Sequence, residues 1–334
     1  MGGALGEGFI RRLLNRWALL AATVALVAVV LENNYYLSLL NFIGIHTILV
    51  VGLNLLMGYG GQISLGHAAF FGIGAYASGI LTATYGVNPW LALIAGLIVC
   101  GIAAFLIGVP ALKLHGYYLA MATLGFGIIV YIVLNEAQPW TGGPSGLSGI
   151  PSLSLGGLKL DTPWRLYLLI WLTVWAILLI SANLVDSRTG RALRALHDSE
   201  AAARSLGVDT ARLKLQVFVW SALYASLAGS LYAHTLNFVA PASFGFMFSI
   251  KLVTMVVLGG MASIWGSLMG AAVLTMLPEL LAVFHDYETI VFGGILMVVM
   301  IFLPRGLVRG ILDLWEFRKY KREGVRFQVS GFRD

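Results

Sequence analysis

Gln62, Ser64 and His67 stand within the Gly-rich stretch GYGGQISLGHAAFFGIGAYASG, residues 58–79. An amide, a hydroxyl and an imidazole at that spacing can donate and accept hydrogen bonds with a small solute. They cannot transform one: the sequence has no paired carboxylates inside an apolar span, and no nucleophile–base or metal-ligand constellation accompanies them. A second polar group occupies residues 186–214, DSRTGRALRALHDSEAAARSLGVDTARLK, where Arg191, Arg194, Glu200 and Arg204 crowd a single connector. Charges set this way suit docking to a protein surface rather than catalysis. No catalytic residue and no metal site is expected anywhere in the chain.

Absent motifs narrow the chemistry further. There is no GxxxxGK[ST] loop, so the chain binds no ATP of its own by a P-loop and needs no cofactor. Neither GxSxG nor HExxH occurs. Tyr59-Gly60-Gly61-Gln62 echoes the signature motif of ABC ATPases but lies between two apolar spans without a partner motif, which makes the echo a coincidence. The single cysteine, Cys100, sits in an apolar stretch, so no intramolecular disulfide forms. The chain is not expected to bind nucleic acid: its net charge of +6 is explained by basic flanks meeting anionic lipid.

The elements that position these residues are set by composition. Of 334 residues, 59% are hydrophobic and only 11% charged, against roughly 25% charged in a soluble domain. Lipid must be the main solvent. Stretches long enough to span it run over 17–31, 36–57, 66–85, 90–110, 116–135, 165–184, 215–235, 247–262, 265–282 and 288–303. The fold class expected is all-α and polytopic, with about ten transmembrane helices and broken or half-length helices near Gly58–Gly66 and Gly259–Gly266.

Basic residues orient the chain by the positive-inside rule. Arg11, Arg12 and Arg16 precede the first span, six Arg and Lys residues occupy 188–214, and a third cluster follows Arg305. Ten crossings put all three in the cytoplasm; merging 247–282 into one helix would strand the last outside. The organisation expected is a cytoplasmic segment 1–16, a transmembrane domain 17–304 with an external loop 136–164 and a charged cytoplasmic loop 186–214, and a basic cytoplasmic tail 305–334. A cleaved signal peptide is not expected, because Leu31-Glu32-Asn33-Asn34 follows the first span without a small-residue cleavage site.

The Gly-rich block has two readings. Ala68/Gly72, Gly74/Ser78 and Ala75/Gly79 are small-xxx-small pairs that let helix backbones approach closely in lipid. Unwound backbone at Gly60 and Gly61 is allowed only where protein or a water-filled cavity surrounds it. Gln62, Ser64 and His67 therefore line a substrate path, or they form a satisfied polar cluster in a tight helix contact. The 186–214 segment likewise reads as a partner-docking element or a solvated connector. Ala192, Ala195, Leu196, Ala202 and Leu206 could share an apolar face, Asp198 or Ser199 could cap a helix starting at Glu200, and Gly207 would end it.

Residues 200–207, EAAARSLG, resemble the EAAxxxG loop of ABC importer permeases. With GYGGQISLGHAAFFGIGAYASG, TGGPSGLSGIP at 141–151, GRALRALHDSEAAARSLGVD and VLGGMASIWGSLMGA at 257–271, the chain resembles the branched-chain amino acid permease family of the LivM type across about residues 36–305. Pro144-Ser145 departs from the more polar pair common in that family's external loop. The resemblance implies a LivH-type sister permease, two ABC ATPase subunits that alone bind ATP, and an extracytoplasmic solute-binding protein, all at a bacterial inner membrane. It implies coupling roles for Glu200, Ala201, Ala202 and Gly207, with Arg191 and Arg194 as docking contacts, and leaves Gly60, Gly61, Gln62, Ser64 and His67 as path candidates. Closure of the ATPases would lever a helix at 190–207 and open the path. Urea, short amides or aromatic acids remain alternative substrates, and a stand-alone secondary transporter or channel an alternative class.

Overall fold

The computed structural model of the protein describes residues 33–155 and 158–281, together with residues 293, 294, 297, 301 and 306. The spans expected at 17–31 and 288–303, segment 1–16 and tail 305–334 lie outside the described residues apart from those last positions. The described chain is a helical bundle: α1 Asn34–Asn54, α2 His67–Ala83, α3 Pro89–Ala111, α4 Tyr117–Glu136, the single turn α5 Gln138–Thr141, α6 Pro163–Asp186, α7 Arg188–Asp198, α8 Glu200–Ser205, α9 Thr210–Leu236, α10 Phe246–Gly259 and α11 Ile264–Leu281. Among the described residues six helices are long and apolar enough to cross a membrane: α1 with its extension to Tyr59, α3, α4, α6, α9 and α11. The 14 residues of α10 reach only about 21 Å at 1.5 Å each, short of a hydrocarbon core of about 30 Å.

The helix starts are written in the chain. Asn33 and Asn88 accept from the N–H groups of Tyr35 and Trp90 and so cap α1 and α3, while Pro89 and Pro163 open α3 and α6 with a fixed φ and no wasted donor. The faces are sorted just as clearly. On α3, Ala92, Gly96, Cys100, Ala104 and Gly108 recur every fourth residue on the buried side, and Ile94, Ile98, Ile102 and Leu106 are exposed opposite them. On α4, Met121, Ile129, Ile132 and Val133 are exposed as well. Each large aliphatic side chain left in water would forfeit about 1.5–3 kcal/mol, so these outward stripes require hydrocarbon.

Packing centres on α2 and α9. A methyl on Gly229 would sit 2.1 Å from the Phe71 carbonyl oxygen, and one on Gly74 2.3 Å from that of Ser226, so the two backbones touch with no side chain between them. The small residues of α3 face the groove the pair forms: Gly96 lies over Gly74 and Ser230, and the Cys100 thiol approaches the Ala222 carbonyl at 3.4 Å. α10 and α11 are separate helices, divided by a turn in which Gly260 and Ala262 both take positive φ.

Two ends can be distinguished. The α3–α4 connection with His115, the segment Ser187–Asp209 and the start of α9 meet at one end, which carries Arg188, Arg191, Arg194, Arg204, Arg212 and Lys214. The other end holds short antiparallel β pairings, β1 (Leu147–Ser148) with β4 (Phe238–Val239) and β2 (Ser154–Leu155) with β3 (Leu158–Lys159). Pro144 and Ser145 are exposed there. Tyr35 hydrogen-bonds Glu279 at that end, tying the start of α1 to the last turns of α11.

Candidate functional site

The first candidate element follows α1. Residues Leu55–Tyr59 widen into a π turn, closed by the Gly60 N–H on the Leu55 carbonyl at 3.1 Å, and the chain is non-helical from Gly60 to Gly66. Such π turns recur at functional positions in helices. Gly61 takes φ +65, which only glycine adopts freely. Past it, the Leu65 N–H donates to Thr123 Oγ1 and the Ala68 N–H, in the first turn of α2, donates to Ser249 Oγ.

Gln62, Ser64 and His67 are 4, 2 and 1% exposed. Both amide atoms of Gln62, the Ser64 hydroxyl and His67 Nε2 are buried without a hydrogen-bond partner among the described residues. An orphaned buried polar group costs roughly 1–3 kcal/mol, and four such atoms lie within these six residues.

The second element is the connector between α6 and α9. Ser187 caps α7 and Ser199 caps α8, its hydroxyl accepting from the Ala202 N–H at 3.3 Å, so a single helix over 190–207 is replaced by two. That break re-phases the apolar residues. Leu193, Leu196 and Ala203 are buried, whereas Ala201 and Ala202 are exposed and Leu206 is 81% exposed. The common apolar face expected for Leu196, Ala202 and Leu206 does not form. Gly207, at φ +81, ends α8 as its N–H and that of Val208 reach back to Arg204 and Ala203.

Arg191 and Arg194 turn inward along the chain. Their guanidinium groups donate to the Asp186 and Val185 carbonyls at 3.2 and 3.1 Å, supplying donors and positive charge to the C-terminus of α6. Glu200 is the hub of the connector. Its carboxylate takes the Lys214 ammonium from α9 at 2.5 Å, Arg204 at 3.2 Å, the Thr210 hydroxyl at 3.3 Å and His115 Nε2 at 3.3 Å. Burial alone would raise this carboxyl, but the hydrogen bond and charge of Lys214, with His115 and Thr210, outweigh it and hold it below its ordinary value.

The two elements meet. A methyl on Gly61 would sit 3.3 Å from the His197 ring, the last turn of α7. Between them opens a small cavity of about 100 Å³ bordered by Gly60, Gly61, Gln62, His197, Glu200 and Lys214. Among the described residues no group of three or more His, Cys, Asp or Glu side chains is placed to hold a metal ion.

Several residues escaped sequence reasoning. Asn54, 1% exposed, donates to the Ser263 carbonyl (2.9 Å) and Ser267 hydroxyl (2.8 Å) and accepts from the Ala262 N–H (2.9 Å), joining the end of α1 to the α10–α11 turn. The signal was there: an amide in the apolar run 48–57 demands partners. His234 likewise bridges Ser78 and the Pro151 carbonyl at 2.8 and 2.7 Å, and His46 meets Thr275 at 2.8 Å.

Residues 35–302 match the family model described as branched-chain amino acid transport system / permease component. The high-affinity branched-chain amino acid transport system permease protein LivM of Escherichia coli (strain K12) is 39% identical over 288 residues, 79% of this chain and 68% of that protein. LivM of Salmonella typhimurium is 38% identical over 287 residues, with the same shares. The permease protein LivH of Salmonella typhimurium is 27% identical over 283 residues, 79% of this chain and 91% of that protein. No solved structure matches.

Proposed function

The chain belongs to the branched-chain amino acid transport system permease family, and from that membership we propose that it is the membrane-spanning subunit of an ATP-driven importer of branched-chain or related hydrophobic amino acids. The observation that carries the coupling part of this reading is the Glu200 latch. α8 and the Leu206 that follows it present Ala201, Ala202 and Leu206 outward, unpacked by the rest of the described chain, while Glu200 of α8 grips Lys214 of α9 and His115 beside α4. A push on the exposed side by an ATPase subunit reaches α9 and α4 through these contacts and reaches Gly61 through His197.

The path itself runs by the Gly60–His67 segment, where Gln62, Ser64 and His67 have hydrogen-bonding atoms without partners among the described residues. Glu200 and Lys214, which border the cavity at Gly60–Gln62, neutralise each other, so a zwitterion passes there without meeting an unbalanced fixed charge. Asn54 ties this segment's approach to the α10–α11 turn, so movement of either break is felt by the other. The likeness to both LivM and LivH fits a pair of sister permeases, served by two ATPases and a binding protein outside. Ten crossings with the basic end in the cytoplasm fit the charge distribution.

Assembly of the chain with a sister permease, ATPases and binding protein in proteoliposomes tests the reading. Glu200→Lys is expected to abolish ATP-driven leucine uptake while the protein stays in the membrane and the partners still bind. Undiminished uptake in that variant refutes the latch. Leucine uptake by the chain alone, without ATPases, refutes the importer in favour of a carrier or channel.

A further inference from the structure

One charge stands away from the two ends of the bundle. Elsewhere in the long helices of the described chain, Asp, Glu, Lys and Arg occur only within five residues of a helix end. Lys251 of α10 lies far deeper. The ring of Phe248, one turn before it, is 5.6 Å from that of His46, and His46 stands midway along the 26 residues of α1 and its extension. Lys251 is therefore near the middle of the membrane, about 15 Å from either surface of a hydrocarbon core of about 30 Å.

A charge at that depth is costly unless it faces protein or water and finds a partner. Among the described residues the Lys251 ammonium has no ion pair and no hydrogen bond. Nor is it sealed in. Lys251 is part-buried, and on the same side of α10 Met247 is 75% and Ile250 39% exposed. On its inner side the buried His46 ring is held by Thr275 at 2.8 Å, within reach of the lysine's charge. Thr254, one turn on, donates its hydroxyl proton to the Ile250 carbonyl at 2.9 Å, which leaves its own oxygen free to accept. The open side of α10 thus offers a cation, a hydrogen-bond acceptor beside it and an apolar flank.

We propose that Lys251 binds the carboxylate of the amino acid in transit, on the open side of α10 at mid-depth. The proposal rests on the functional reading above, which supplies an α-amino acid as the solute. Such a solute brings what the site lacks. Its carboxylate pairs with Lys251, its ammonium group meets the Thr254 oxygen, and its side chain lies along Met247 and Ile250. The unbranched thioether of Met247 adapts to apolar side chains of different shape. Urea or a short amide carries no anion and leaves the ammonium unpaired. The helix that bears Lys251 also holds the path segment: Ser249, two residues earlier, accepts the Ala68 N–H at 3.2 Å just past His67.

The test uses the complete importer in proteoliposomes, with leucine-loaded binding protein outside, ATP inside, and wild type compared with Lys251→Met and Lys251→Arg. Lys251→Met is expected to lower the maximal rate of leucine uptake by about tenfold or more, the size of one lost hydrogen bond to a charged group. Lys251→Arg should keep most of the rate. The binding-protein concentration for half-maximal uptake and the ratio in which the subunits co-purify should stay as in wild type for both variants. Removing a charge from apolar surroundings favours insertion, so failure to enter the membrane does not explain such a loss. Uptake by Lys251→Met equal to wild type overturns the inference and leaves the importer standing. Equal losses in Lys251→Met and Lys251→Arg overturn it as well, because charge is then not what acts. A Lys251→Met chain that no longer co-purifies with the sister permease also overturns it, and assigns the ammonium to a carboxylate of that subunit. ATP-dependent uptake of some other solute with none of leucine in wild type overturns the substrate reading and this inference with it.

Discussion

Replacing Asn54 by alanine removes three hydrogen bonds of 2.8–2.9 Å from a side chain that is 1% exposed. Bonds between helices inside membrane proteins contribute about 0.6 kcal/mol each on average, so their loss alone amounts to about 2 kcal/mol. The larger effect is what remains behind. The Ala262 N–H, held in a turn by its positive φ, is left without its acceptor, and an orphaned buried group costs about 1–3 kcal/mol. Together the expected destabilisation is about 3–5 kcal/mol. Asn54→Leu keeps the volume but neither donor nor acceptor, and should lose as much. Gly58→Ala places a methyl 2.1 Å from Asn54 Oδ1 and 2.4 Å from the Ala262 nitrogen, so it displaces the same amide. Equilibrium unfolding in mixed detergent micelles reads all three variants and the Gly58→Ala/Asn54→Ala pair. The pair should cost little more than either single change, because both break one junction. An Asn54→Leu protein within about 1 kcal/mol of wild type, or additive losses in the pair, refutes the reasoning.

Helix propensity alone would make Gly229→Ala stabilising by about 1 kcal/mol, but the contact with the Phe71 carbonyl predicts a loss of about 1–3 kcal/mol in the same assay; the sign decides. Glu200, its carboxyl held below the ordinary value chiefly against burial by Lys214, contributes its stabilisation above the unfolded value and loses it as pH falls through the folded one. Uptake per ATP should therefore stay level from neutral pH down to about pH 5, and a midpoint near about pH 6 would assign the latch to histidine instead. Leu206→Cys, at an 81% exposed position, should react with a maleimide and be protected when the ATPases bind, while buried Cys100 stays unlabelled throughout. Labelling of Leu206→Cys that the ATPases leave unchanged removes this face from the interface.

Residue order made the helices legible because each long one carries its own signals. Asn88-Pro89 and Thr162-Pro163 start α3 and α6, and apolar runs of membrane length follow. The split of 247–282 was expected from charge, and α10 and α11 are separate helices, but the 14 residues of α10 fall short of the crossing that argument assumed. A cap at Asp198 or Ser199 and the Gly207 stop were legible from local chemistry, and the structure puts the cap on Ser199 and the stop at Gly207. What was hidden depends on partners distant in sequence. Arg191 and Arg194 were expected as docking contacts, yet the turn at Ser187 brings their guanidinium groups back onto the carbonyl end of α6. Asn54 finds its partners more than 200 residues away, and Lys214 finds Glu200 because α9 happens to start beside α8. The every-fourth small residues of α3 were in plain view, but the groove that selects them exists only once α2 and α9 meet.

The bare contact between α2 and α9 also constrains how this protein can move. Side chains are the bearings on which helices slide, since rotamers can yield while backbones hold their course. Where Gly229 presses on Phe71 and Gly74 on Ser226 there is nothing to yield, and the two helices can neither shift register nor roll. With α3 seated in their groove through Gly96 and Cys100, they make a keel that travels as one piece. Any alternation between open and closed forms must then hinge at the places where the helices are interrupted, and the keel supplies the lever arm.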